Sequence, residues 1–72
     1  MAISYKKLWK LLIDRDMKKK DLVKLSGISQ SSVTKMGRNE NVNTDVLVRV
    51  CRALNCDIGD IAEIALQESE AE

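Results

Sequence analysis

The residues best suited to chemistry lie in the run Gln30-Ser31-Ser32-Val33-Thr34-Lys35-Met36. Val33 and Met36 are its only apolar side chains, spaced i, i+3, so a helix here turns that pair inward. Gln30, Ser31, Thr34 and Lys35 then face outward. The exposed set is one amide, hydroxyls and one ammonium, with no carboxylate. An amide offers a donor and an acceptor side by side, and hydroxyls offer both. Base pairs present matching donors and acceptors along the floor of the DNA major groove. The plainer alternative is a solvated polar face on a structural helical hairpin.

Such a face needs a rigid neighbour to hold it. Just upstream, Leu22 and Leu25 are spaced i, i+3 with Val23 beside them, which predicts a preceding helix with an inward apolar stripe. Gly27 follows, the residue type best able to end a helix in the left-handed conformation. Ile28 is the apolar residue of the turn, and Ser29 is placed to cap the next helix by accepting from a free backbone N–H.

This stretch, Lys19 to Met36, resembles the helix-turn-helix of the phage-repressor and Cro-like family, also called the XRE family. Leu22, Gly27, Ile28, Ser29, Gln30, Ser32 and Val33 carry the resemblance, which extends from about Leu8 to Ile61. It implies an all-α, five-helix, lambda-repressor-like domain. It also implies that the chain binds double-stranded DNA in a sequence-specific way, as a small transcriptional regulator and commonly as a two-fold homodimer on a near-palindromic site. Under that reading Gln30 is the main base reader, because its amide can bond bidentately to adenine. Ser31, Thr34 and Lys35 supply further base or nearby phosphate contacts. Lys18, Lys19, Lys20, Ser29, Arg38, Asn39 and Asn41 grip the sugar–phosphate backbone, which sets register without reading sequence. Two departures stand out. Family members commonly pair an Arg near the end of helix 1 with a Glu just after the recognition helix, and Leu12 and Gly37 occupy those positions here. Losing both partners together strands no charge. Val23 stands where the family usually has Ala, so the helix–helix crossing has extra methyls to accommodate.

Net charge is only +1, but it is unevenly spread. Residues 1–40 hold ten Lys/Arg and four Asp/Glu, a local +6, whereas residues 41–72 hold two cations and seven acids, a local −5. The basic half contains the helix-turn-helix, and the acidic half can stay away from phosphates. Lys18, Lys19 and Lys20 cluster at the start of a predicted helix, where cations oppose the dipole and repel one another. A phosphate docked on the free N–H groups there turns that penalty into attraction.

With 72 residues and 44% hydrophobic content, the chain fits one small domain, read as 1–66 with an acidic tail at 67–72 expected to fray. There is no Phe and only one Trp and one Tyr, so the core is mainly Leu, Ile and Val. Before the motif, Ser4 is a candidate cap for a helix over Tyr5 to Arg15, with Tyr5, Leu8 and Leu12 on one stripe and Trp9 and Ile13 on a second flank. After it, Gly37 is the expected C-cap. Asn43 caps a fourth helix, Thr44 to Leu54, whose Leu47, Val50, Cys51 and Leu54 follow i, i+3, i+4, i+7, and Asn55 ends it. Asp57 opens a predicted fifth helix, Ile58 to Leu66, with Ile58, Ile61, Ala62 and Ala65 inward and Ile64 off the stripe.

Catalysis finds little support. There is no His, no glycine-rich phosphate loop, no nucleophile elbow and no carboxylate pair with a plausible pocket. Cys51 and Cys56 alone do not make a four-ligand zinc site, and no cofactor is expected. No signal peptide or membrane span is visible, which predicts a cytoplasmic, reduced chain. The competing functional class is a protein-interaction module, such as an antitoxin or accessory regulator, that keeps the fold without specific DNA binding. It would use the acidic half and the wide apolar arc of helix 1.

Overall fold

The computed structural model describes residues 2–65. The expected tail at 67–72 lies outside the described residues. A short strand β1 (Ala2–Ser4) leads into four helices: α1 (Lys6–Asp14), α2 (Lys19–Ser26), α3 (Gln30–Gly37) and α4 (Thr44–Leu54). A 3₁₀ turn (Ile58–Asp60) and a second strand β2 (Glu63–Ala65) follow. β1 and β2 pair antiparallel, Ala2 with Ala65, Ile3 with Ile64 and Ser4 with Glu63.

Local chemistry sets most boundaries. Asn43 caps α4 by accepting from the Val46 N–H at 3.3 Å, and Asn55 ends it at φ +53°. Asp57 Oδ1 accepts from the Ile58 N–H and Asp60 Oδ2 from the Asp57 N–H, which winds the 3₁₀ turn tight. Tyr5, Leu8, Leu12, Leu22, Ile28, Val33, Met36, Leu47, Val50, Leu54, Ile61 and Ala62 form one buried core. α2 packs chiefly on α4 and α3, and the 3₁₀ turn packs on α1 and α4.

The five-helix, all-α expectation is corrected at both ends. In place of a fifth helix over 58–66, the chain makes one 3₁₀ turn and then an extended strand. The lead-in before α1 is the matching strand. Ser4 remains close to its expected role, since its Oγ accepts from the Lys6 N–H at 3.3 Å, although Tyr5 is the N-cap residue. Ile61 and Ala62 are buried as their spacing predicts, whereas Ile58 and Ile64 are exposed. A strand alternates faces every residue, so the helical stripe cannot continue through Ala65. The stripe of α2 also needs correcting. Leu22 is fully buried but Leu25 is 58% exposed, because half-buried Ser26 takes the inward side of the last turn and Ile28, in the turn beyond the helix, is buried in the core. Ile13 on the second flank of α1 is likewise 75% exposed.

Candidate nucleic-acid interface

α2 ends as its sequence requires. Gly27 takes φ +76° and returns its N–H to the Val23 carbonyl at 3.0 Å. A side chain at that φ would be strained. Ser26 Oγ donates to the Leu22 carbonyl at 2.6 Å and accepts from the Ile28 N–H at 3.4 Å, which sets the turn. Ile28 is buried beneath it and fixes the angle at which α3 leaves. Ser29 then caps α3, its Oγ accepting from the Ser32 N–H at 3.2 Å. The Ser31 and Ser32 hydroxyls both lie 3.0 Å from that same oxygen. The opening of α3 is thus a small hydroxyl cluster. Ser32, half-buried, supports that cluster, and the helical pattern gives it no outward role.

Val33 and Met36 are almost wholly buried, and Gln30, Ser31, Thr34 and Lys35 are all exposed. The outward face anticipated from the spacing is therefore present. Thr34 adds a restriction: its Oγ1 donates to the Gln30 carbonyl at 3.0 Å, so the hydroxyl proton is occupied and the residue offers lone pairs and a methyl group.

Cations flank α3 in the sequence, and Lys19 reaches it in space. Lys18, Lys19 and Lys20 are exposed at the start of α2. Lys18 is the N-cap residue, and its N–H donates to Asp21 Oδ2 at 2.9 Å. The first turn of α2 therefore carries an acid that offsets part of the unfavourable dipole interaction of the lysines. Lys19 Nζ stands 4.6 Å from the centroid of the Trp9 ring on α1. Arg38, the C-cap residue of α3, is exposed, with Nη1 3.8 Å from Glu40 Oε2.

The loop after α3 departs from expectation. Gly37 is the last helical residue rather than the cap, and Asn39 takes the left-handed conformation at φ +57°. Asn39 Oδ1 accepts from the Tyr5 N–H at 3.1 Å, and the Tyr5 hydroxyl donates to the Glu40 carbonyl at 3.1 Å. Burial pushes the Tyr5 phenol up from its ordinary value, which keeps it a donor. Asn39 keeps its amide N–H groups to offer a phosphate, and Asn41 is exposed two residues on. Neither Tyr5 nor Trp9 carried a sequence signal for these duties, since their partners lie 34 and 10 positions away.

Residues 7–66 match the model of the Cro/C1-type helix-turn-helix DNA-binding domain. The chain belongs to that family. This Cro/C1-type domain is also similar to a solved structure, that of the transcriptional regulator VanUg, at 58% identity and a TM-score of 0.82. The likeness covers 86% of this chain and 83% of that one. Among curated proteins, none matches significantly. The family's usual charged pair is replaced here by a buried Leu12 and by Gly37, whose missing side chain faces Lys19: a Cβ at Gly37 would lie 3.5 Å from Lys19 Nζ. Val23, in place of the usual Ala, is partly buried against the core. Among the described residues no helix is long and apolar enough to cross a membrane, and no group of three metal-ligating side chains occurs.

Proposed function

We propose that this Cro/C1-type domain is a small transcriptional regulator that reads double-stranded DNA by laying α3 in the major groove. The observation that carries the reading is the division of α3 into two faces. Val33 and Met36 anchor it in the core, while Gln30, Ser31, Thr34 and Lys35 are exposed on the opposite side. Gln30 makes the principal base contact, and Ser31, Thr34 and Lys35 supply the others. Lys18, Lys19, Lys20, Ser29, Arg38, Asn39 and Asn41 hold the phosphates. Two copies bind a near-palindrome, their α3 helices about 34 Å apart, one helical turn of DNA. Similarity to a transcriptional regulator supports the regulatory role.

A second reading, a protein-interaction module, draws on the exposed Ile13, Leu25, Val48, Ile58 and Ile64. Those side chains are equally available to a second copy of the chain. One experiment separates the two readings. Purified protein is used to select bound sequences from random duplexes, and the salt dependence of binding is measured alongside. Enrichment of a two-fold related motif, with affinity falling steeply as salt rises, is the expected result. No binding to any duplex at low ionic strength would leave the interaction module in its place.

A further inference from the structure

We propose that Trp9 is a positioning residue for DNA binding: it fixes the Lys19 ammonium where α1, α2 and α3 meet, ready for a backbone phosphate. The inference rests on the DNA-binding reading and adds to it a residue outside the helix-turn-helix.

Three elements frame the ammonium. Trp9, partly buried on α1, presents its ring 4.6 Å from Nζ, within the range of a cation–π contact. Lys19 is the first residue of α2, so its side chain starts beside that helix's free N–H groups. Gly37, in the last turn of α3, leaves open the space that a side chain would take next to Nζ. A lysine is ordinarily a flexible point charge that must be ordered when it binds an anion. Resting on a ring, it is ordered in advance.

The kind of support matters. A carboxylate at this distance would neutralise the charge and occupy its N–H donors. A ring face attracts the cation electrostatically and leaves its outward donors open. Among the described residues, no carboxylate lies within ion-pair distance of Lys19. Lys18 and Lys20 are exposed, and among the described residues the cation–π contact is made by Lys19, so the structure singles out one lysine of the three.

The test uses the full chain and a labelled random-sequence duplex, with affinity read by fluorescence anisotropy and folding by circular dichroism. Trp9→Leu is expected to weaken binding about two- to five-fold. Trp9→Phe, which keeps a ring face, should recover most of that loss. In a Lys19→Ala background, Trp9→Leu should add nothing further. Trp9 is the sole tryptophan, so its emission gives a readout independent of any change at position 9. Lys19→Met is expected to shift that emission, and duplex DNA to shift it in the wild type but not in Lys19→Met. Unchanged emission in Lys19→Met would overturn the contact. Equal losses from Trp9→Leu with and without Lys19 would show a merely structural tryptophan. If the wild type binds DNA and Trp9→Leu binds equally well, the inference fails alone. If the wild type binds no duplex at all, the DNA-binding reading fails with it.

Discussion

Asn39 and Tyr5, 34 positions apart, are joined by a 3.1 Å hydrogen bond from the Tyr5 N–H to the Asn39 side-chain carbonyl. The bond ties the loop leaving α3 to the entry of α1. The Tyr5 hydroxyl reinforces it by donating to the next carbonyl, that of Glu40. The loop that the DNA reading places against phosphates is therefore clipped to the core.

The clip can be dissected at position 39. Asn39→Ala removes the bond and puts a poorly suited residue at φ +57°. Asn39→Gly removes the bond while keeping the left-handed backbone unstrained, at the cost of glycine's extra chain entropy. A net hydrogen bond contributes about 0.5–1.5 kcal/mol, and a single residue forced into the left-handed region costs about 1–2 kcal/mol more. Urea unfolding should therefore rank wild type above Asn39→Gly, and Asn39→Gly above Asn39→Ala. Equal stabilities for all three would mean that neither the bond nor the backbone conformation matters. Tyr5→Phe tests the second bond and is expected to lose about 1 kcal/mol.

These contacts mark where sequence reading stops. Gly27, Ser29, Asn43 and Asn55 declared themselves because a cap or a left-handed residue is chosen by neighbours within four positions. The faces of α3 and α4 were legible because each repeats one period against one core. The terminal strands were not. Each is three residues long, and their register joins Ile3 to Ile64 across nearly the whole chain. The run Ile61-Ala62-Glu63-Ile64-Ala65 has the i, i+1, i+3, i+4 apolar spacing of a helix and no strict alternation, and pairing with β1 overrides that local signal. The same holds for the candidate site. The outward residues of α3 follow from periodicity, while the Trp9–Lys19 contact requires the packing of α1 on the rest.

Gly37 gives a charge test of Lys19. Gly37→Glu restores the acid that family members commonly carry there and brings a carboxylate within reach of the Lys19 ammonium. A Cβ at 3.5 Å is ordinary contact and Gly37 has no positive φ, so the fold should accept Glu there. Binding to random duplex should weaken. The slope of log affinity against log salt should become shallower by about one phosphate contact, near 0.9. An unchanged slope would remove Lys19 from the list of phosphate ligands.

Cys51 predicts an alkaline limit. Burial, together with the neighbouring Cys56, pushes its thiol from 9.0 up to about 11. The folded state thus favours the protonated form. The stabilisation is fully present below the unfolded value near 9 and is lost as pH rises toward 11. The melting temperature of wild type should fall through that window, and Cys51→Ala should fall less steeply. Tyr5, also raised by burial, contributes a decline common to both proteins. Parallel melting curves would refute the assignment. At neutral pH the raised thiol should react slowly with alkylating reagents, since the thiolate is the nucleophile.

The decisive prediction concerns Gln30. It is exposed at the first position of α3, next to a cap that fixes where the helix begins. A bidentate amide–adenine pair is worth about 1–3 kcal/mol of discrimination. Gln30→Ala should lose that much affinity for the selected sequence and very little for random duplex, with tolerance of other bases appearing at one position of each half-site. Lys35→Ala separates the two kinds of contact, because an ammonium that meets phosphate weakens every duplex alike and flattens the salt slope. If Gln30→Ala weakened specific and random duplexes by the same factor, Gln30 would be only a surface residue near the backbone. Base reading would then have to pass to Ser31, Thr34 or Lys35, and Thr34 has already given its hydroxyl proton to the Gln30 carbonyl.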